Sequence, residues 1–249
     1  NYSTACSSSA IAIGEAMRSI RDGYAEAILA GGSEALLVPG TLAAWQALRT
    51  LAPLDESDPP ASCKPFDRRR AGLVLGEGAA ALLLESEEHA RARGAQMLAF
   101  VSGYGNSADA AHMSRPDRDG QARAMRAALA DARLAPEAIG YINAHATATQ
   151  VGDLAEVQAL RAAFGDALAK IPVSSTKSLH GHLLGATGAL EMLAALLPIM
   201  RGTLPPTGHL ADPDPECALL HVARESRPAG NVRAVMANSF GFGGSNAVL

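Results

Sequence analysis

Near its start the chain reads STACSSS, which sets a lone cysteine, Cys6, between a β-type, threonine-bearing approach and three serines that open a helical run. A thiol at a helix N-terminus meets unpaired backbone N–H groups and the positive end of the macrodipole. These lower its pKa from about 8.5 into a range of roughly 3.5 to 7.5 and make it a thiolate nucleophile. The competing reading is a small buried hydrophobe without chemical duty. Two histidines follow much later, His145 in NAHATATQVGD and His182 in SSTKSLHGHLLGATGALE. A histidine at a strand end, followed by small and hydroxyl residues, suits the crevice in which open α/β folds bind ligands. Each alone equally suits a satisfied structural residue. His180 and His182 alternate as metal ligands on a strand would, but no carboxylate or thiol lies at a telling spacing. Lys177 and Glu191 flank His182 in an apolar neighbourhood. Buried charges need partners, so the two either orient the histidine or form a structural ion pair. In NSFGFGGSN the spacing G-x-G-G does not match a dinucleotide fingerprint and no helix follows. A tight glycine loop after a buried strand instead brings backbone N–H groups close to a reacting centre. Lys64, Arg68, Arg69 and Arg70 crowd one loop in KPFDRRRAGLVLGEGA, a cluster of the kind usually found solvated or ion-paired.

The elements that must position these residues alternate along the chain. Ile11, Ile13, Met17 and Ile20 recur near helical spacing over 9–22, and Asp22-Gly23 stops the run. AEAILAGGSE is a buried strand, GEGAAALLLES and AQMLAFVSGYG two more, bracketing the short helix EEHARARG. Helices are expected over 120–132 and 153–164, with the strand YINAHAT between them. PVSST is a strand, LGATGALEMLAALLPIM a nearly all-apolar and hence buried helix, and VRAVMANSF and SNAVL strands joined by the glycine turn. Strands separated by helical stretches predict mainly parallel, layered sheets with both faces covered. The irregular stretch 51–72 is long enough to be a functional loop.

Composition frames this reading. The 249 residues are 48% hydrophobic and 4% aromatic with 24 glycines, enough apolar material for one α/β unit or two tightly fused halves. A net charge of −4 argues against nucleic-acid binding by bulk electrostatics, while a local basic patch stays open. Three cysteines, Cys6, Cys63 and Cys217, form neither an even set nor a CxxC spacing, which fits a reducing compartment, the cytoplasm by default. No uninterrupted apolar run reaches membrane-spanning length, and the start does not read as a signal peptide.

Taken in order, STACSSS, AGGSE, PFDRRRAGLVLGEGA, NAHATAT with Asp153, SSTKSLHGHLLGATGALE and NSFGFGGSN resemble the β-ketoacyl-acyl carrier protein synthases, the elongating condensing enzymes of fatty-acid and polyketide synthesis. The resemblance covers essentially the whole chain. It implies a thiolase-like αβαβα layered fold of two similar halves. On that resemblance the first half, 1–95, would carry the nucleophile and lack its N-terminal portion, an expectation that the opening Asn, in place of Met, also suggests. The second, 96–249, carries the two histidines.

The resemblance further implies that Cys6 accepts the acyl group from an acyl carrier protein, and that His145 and His182 promote decarboxylation of malonyl-carrier protein and stabilise the enolate. Histidine at both places matches the elongating class; initiating synthases carry His-Asn and thiolases His-Cys. Lys177 and Glu191 match supports of the site. The amides of Cys6 and Phe242 match the oxyanion hole, with Phe242 as a gate, and Phe240 and Phe242 as substrate-binding residues. Thr147 and Thr149 match contacts to the phosphopantetheine arm that carries the substrates, no other cofactor being implied. Arg49 falls where relatives dock the acidic carrier, with Arg68 and Arg69 as further candidates. A homodimer or a ketosynthase heterodimer is implied, with no metal. Ala146 stands where the family usually has Gly, Ala71-Gly72-Leu73 where it has Asp-Gly-Phe, and Ser7 where bacterial elongation enzymes commonly have Thr. These departures keep open a polyketide or other specialised pathway. Two rivals remain: a noncatalytic partner of the chain-length-factor kind, which typically lacks the cysteine, and a thiolase, against which the His182 motif argues.

Overall fold

The computed structural model describes all residues, 1–249. Its elements are α1 (Ser8–Arg21), β1 (Ala27–Glu34), α2 (Pro39–Ala47), β2 (Gly78–Glu85), α3 (Glu87–Ala92), β3 (Gly105–Ala108), α4 (Arg118–Ala132), β4 (Tyr141–Asn143), α5 (Gln150–Phe164), β5 (Pro172–Ser174), α6 (Lys177–His180), α7 (Thr187–Arg201), β6 (Thr203–Leu204), β7 (Leu220–His221), β8 (Arg227–Pro228), β9 (Val235–Gly241) and β10 (Ser245–Val248). A six-stranded sheet runs in the order β3-β10-β9-β4-β5-β7. Its β9-β4-β5-β7 side is parallel, whereas β10 runs antiparallel to both β3 and β9.

The apolar periodicity of α1 and α7 explains the layering. Ile13, Ala16 and Met17 of α1 share one core with Ala189, Met192 and Ala195 of α7. These helices pack between the six-stranded sheet and the β1–β2 ribbon. A second core joins Met125 and Ala128 of α4 to Val157 and Leu160 of α5 over Ile142 and Met236 of the large sheet. The layers are therefore helices α4 and α5, a sheet, helices α1 and α7, and a second sheet, four of the five layers of the αβαβα expectation. The outer face of the β1–β2 ribbon is open: Leu29 and Leu83 are exposed there. Asp117 caps α4 through the Gly120 amide and Thr149 caps α5 through the Gly152 amide, side-chain acceptors meeting otherwise orphaned helix donors.

Three expectations need correction. The mainly parallel arrangement holds only for part of the large sheet, and β1 and β2 pair antiparallel, Ala27 opposite Glu85. The strand expected over AQMLAFVSGYG is confined to Gly105–Ala108; the preceding residues have no ladder partner and leave Leu98 and Phe100 exposed. The strand expected over YINAHAT stops at Asn143, because the amides of His145 and Ala146 turn to a side-chain acceptor instead of a strand. The segment Leu184–Arg201 has a mean hydropathy of 1.3 and the length of a membrane span, but half of it is buried inside the fold, where α7 packs on α1, β4 and β9.

Candidate active site

Cys6 sits in a short 3-10 turn, Ala5–Ser7, that runs directly into α1. Ala5 holds a φ of +53°, the left-handed region, which costs a residue with a Cβ about 1–2 kcal/mol. The serines hold that turn. Ser8 accepts from the Thr4 amide at 2.9 Å and donates to the Ala5 carbonyl at 2.7 Å, and Ser9 accepts from the Ala189 amide at 3.0 Å, fastening α1 to the first turn of α7.

That turn delivers the sulfur to the two histidines. Cys6 Sγ lies 2.9 Å from His182 Nε2, and Cys6, His145 and His182 present donor atoms all within 4.8 Å of one another. The two imidazoles meet edge to face, centroids 5.3 Å apart. His182 is fixed through Nδ1, 3.0 Å from the Thr187 hydroxyl at the start of α7. A hydroxyl donates or accepts, so Thr187 serves either tautomer. His145 is fixed through its backbone. Its amide donates to Glu156 Oε1 at 2.9 Å, the Ala146 amide to Oε2 at 2.7 Å, and Asn238 Nδ2 adds a third donor at 2.9 Å. The His145 Nδ1 is shut in without a partner, and the residue lines the cavity.

Burial dominates the electrostatics. Both histidines are held well below the usual imidazole range by burial and then by the Lys177 charge, so both are neutral. The thiol does not follow the sequence expectation. Burial pushes Cys6 up to about 11, outweighing Lys177 and the amides of Phe242 and of Cys6 itself, all of which pull it down. The helix end is present; desolvation is larger. The resting pair is therefore neutral thiol and neutral imidazole.

Lys177 and Glu191 make no hydrogen bond to the ring of either histidine. Lys177 Nζ donates to Glu191 Oε1 at 2.5 Å and both are fully buried, so the ion-pair reading holds, with Lys177 acting on the ring nitrogens through its field. Burial raises Glu191 to about 7. His180 turns away from His182, to the Thr176 hydroxyl and the Gly181 carbonyl. Nor does the Cys6–His182 spacing suit zinc, whose tetrahedral sulfur and nitrogen ligands stand about 3.5 Å apart at ordinary bond lengths.

The trio opens on a cavity of about 480 Å³, the size of a small-molecule site, which Phe240, Phe242, Thr147, Thr149 and Arg49 also line. Arg49 and Met113 are exposed, so the cavity reaches solvent. Phe242 stacks near Trp45, centroids 5.8 Å apart, and Phe240 lies against His145 at 5.8 Å. The Thr149 hydroxyl is shared between the α5 cap and Thr147, 3.2 Å away. Arg68 and Arg69 stand elsewhere, paired with Asp212 and Asp67. Neighbouring Arg70 is buried and ties the loop down through Asp214 at 2.6 Å and the Gln150 carbonyl, with Asp153 3.6 Å away. Sequence reasoning missed Glu156, Thr187 and Asn238. Glu156 follows His145 by eleven residues, and only a helix in contact with the strand end reveals that it folds back.

Residues 1–90 match the N-terminal domain and residues 98–211 the C-terminal domain of beta-ketoacyl synthase. Nodulation protein E of Rhizobium meliloti is 48% identical over 249 residues, covering 99% of this chain and 59% of that protein. The 3-oxoacyl-[acyl-carrier-protein] synthase 2 of Staphylococcus aureus is 44% identical over 248 residues, 59% of its length. Among solved structures, a beta-ketoacyl synthase from Burkholderia phymatum superposes with a TM-score of 0.92 at 43% identity, covering 99% of this chain and 59% of that one. A type II polyketide ketosynthase in complex with its acyl-carrier protein and bound to the hexaketide superposes at 0.96 with 36% identity, covering 100% and 61%. The chain thus spans about 60% of the length of the relatives it matches. With both domain profiles matched in order and the thiolase-like fold shared, this chain belongs to the beta-ketoacyl synthase family of condensing enzymes.

Proposed function

We propose that the protein catalyses decarboxylative Claisen condensation between an acyl group held on Cys6 and a malonyl-acyl carrier protein, giving 3-oxoacyl-acyl carrier protein in fatty-acid or polyketide synthesis. The observation that carries this reading is the convergence of Cys6 Sγ with the ring nitrogens of His145 and His182 on one solvent-reaching cavity. Cys6 attacks the acyl thioester carbonyl, its proton passes by way of His182 Nε2 to the departing carrier thiol, and the carbon–sulfur bond to the carrier breaks. The malonyl thioester then loses CO2. The released electron pair becomes an enolate whose oxygen accepts from neutral N–H groups of both imidazoles, each worth roughly 2.7–4 kcal/mol in comparable sites. The enolate carbon attacks the Cys6 thioester, the carbonyl oxygen collects its charge at the Cys6 and Phe242 amides, and collapse expels the Cys6 thiolate, which takes a proton from solvent.

Substrates ride on the phosphopantetheine of the carrier, with Thr147 and Thr149 along the arm and Arg49 at the mouth toward the acidic carrier; no separate cofactor is needed. A homodimer or a ketosynthase heterodimer is the assembly we infer, in the reducing cytoplasm that suits three free cysteines. The test is incubation of the full-length polypeptide with acyl- and malonyl-carrier protein. CO2 release and a cerulenin-type adduct on Cys6 are expected. Failure of both overturns the reading in favour of a noncatalytic chain-length-factor-like partner.

A further inference from the structure

Of the three serines after Cys6, only Ser7 reaches across to the glycine hairpin. Its hydroxyl is fully buried and fully used. It stands 2.8 Å from the Thr4 carbonyl, 3.1 Å from the Thr4 hydroxyl and 3.0 Å from the Ser245 hydroxyl. Ser7 is the donor toward all three acceptors, and its one proton is shared among them. Ser245 is opposite Gly241 in the β9–β10 ladder, so these residues close the hairpin whose tip is Phe242-Gly243-Gly244. The two segments are pressed together: a Cβ on Gly241 would lie 2.7 Å from the Thr4 carbonyl oxygen and 3.3 Å from the Cys6 amide nitrogen. On one side of this seam stands the amide of Cys6 and on the other the amide of Phe242, each of which pulls the thiol's pKa down.

We propose that Ser7 is a positioning residue: through Thr4 and Ser245 it locks the strained Cys6 turn to the glycine hairpin and sets the spacing of the two amides that receive the oxyanion. Resting on the condensing reading for the purpose of those amides, the proposal concerns a geometry that can be measured without condensation. Backbone amides have no side chain to steer them, so their separation is set by whatever pins the two segments, and Ser7 is the side chain that bonds both.

The test compares Ser7→Ala, Ser245→Ala, the double variant and Ser7→Thr in the full-length polypeptide. The readouts are kcat and KM for condensation and the pH midpoint of Cys6 alkylation by iodoacetamide. Each single alanine variant is expected to lose about tenfold in kcat at unchanged KM, the scale of one buried hydrogen bond. Each should also move the alkylation midpoint upward as the Phe242 amide drifts from the sulfur. The double variant should be no worse than either single one, and Ser7→Thr, which keeps the hydroxyl, should match the parent. Lower melting temperatures with unmoved midpoints, or losses that multiply in the double variant, overturn the proposal. Should Ser7→Ala not fold, half-buried Ser245 reports on the same bond. Shifted midpoints in a protein that does not condense leave the positioning role standing and sink the condensing reading; condensation with unmoved midpoints does the reverse.

Discussion

Cys6 Sγ and His182 Nε2 lie 2.9 Å apart with no charge on either. Burial holds the thiol up at about 11 and the imidazole well below its usual range, so the pair stores no ion pair at rest. On the proposed reaction, acylation of Cys6 depends on His182 taking the proton as the new bond forms. Alkylation of Cys6 by iodoacetamide should accelerate with pH toward about 11, without a plateau near neutrality. His182→Ala should lower acyl transfer to Cys6 by about 10²-fold or more at pH 7, the scale of a positioned acid–base group. Mass spectrometry of the acyl-enzyme over time reads both.

The two histidines should separate kinetically. His182 touches the sulfur, whereas His145 meets the cavity and has no hydrogen bond to it. His145→Ala should leave acylation of Cys6 within a few-fold of the parent but cut CO2 release from malonyl-carrier protein by about 10²–10³, one oxyanion donor's share. Equal loss in both steps would contradict the division of labour.

Glu156 is the less obvious support. Its two oxygens accept three N–H groups, from His145, Ala146 and Asn238, inside a buried environment that raises its pKa. Glu156→Gln keeps the shape but turns an amide NH2 toward a backbone donor. Loss of about 1–3 kcal/mol of stability is expected, together with a fall in decarboxylation as the His145 backbone shifts. Urea unfolding and CO2 release measure the two effects.

Acid should loosen the fold through the neutral histidines. His180 is pushed down to about 4 by burial and by Lys177. A base depressed in the folded state contributes stability above its unfolded pKa near 6.5. That contribution is lost as pH falls, because the unfolded chain takes up the proton the folded one refuses. For the half-buried His180 ring this amounts to on the order of 1 kcal/mol by pH 5. His180→Gln should flatten the melting temperature between pH 6.5 and pH 4 relative to the parent.

How much of this was legible in sequence follows from what sequence periodicity can carry. Helix α1 announced itself by apolar spacing and α7 by its nearly unbroken apolar run, and the three residues that the fold brings together, Cys6, His145 and His182, stood out by type and motif. Strand pairing was not legible: AILAGGSE and GAAALLLE are apolar enough for a parallel core, yet they form an antiparallel ribbon. The thiol's protonation was not legible either. A helix start is visible in STACSSS, whereas the desolvation that outweighs it comes from residues brought in from the other end of the chain. Glu156 and Thr187 escaped for the same reason. Neither residue type is unusual at its place, and each acquires a role only when α5 or α7 folds against a histidine.

Lys177 and Glu191 offer the sharpest separation of stability from chemistry. Their 2.5 Å pair is buried on both sides, so Lys177→Met alone strands a carboxylate in the core and should cost about 3–5 kcal/mol. Adding Glu191→Leu removes the stranded charge, and the double variant should recover most of that loss in urea unfolding. Activity should not recover with it. The Lys177 charge lowers the protonation of both histidines and pulls the Cys6 thiol down, and its effect on the thiol exceeds the opposing one of Glu191. In the double variant the alkylation midpoint of Cys6 should therefore rise. The acid limb of condensation should also move to higher pH, as the imidazoles protonate more readily and lose their capacity to take a proton from sulfur. A double variant that folds and keeps the parent pH profile would reduce the pair to a structural role.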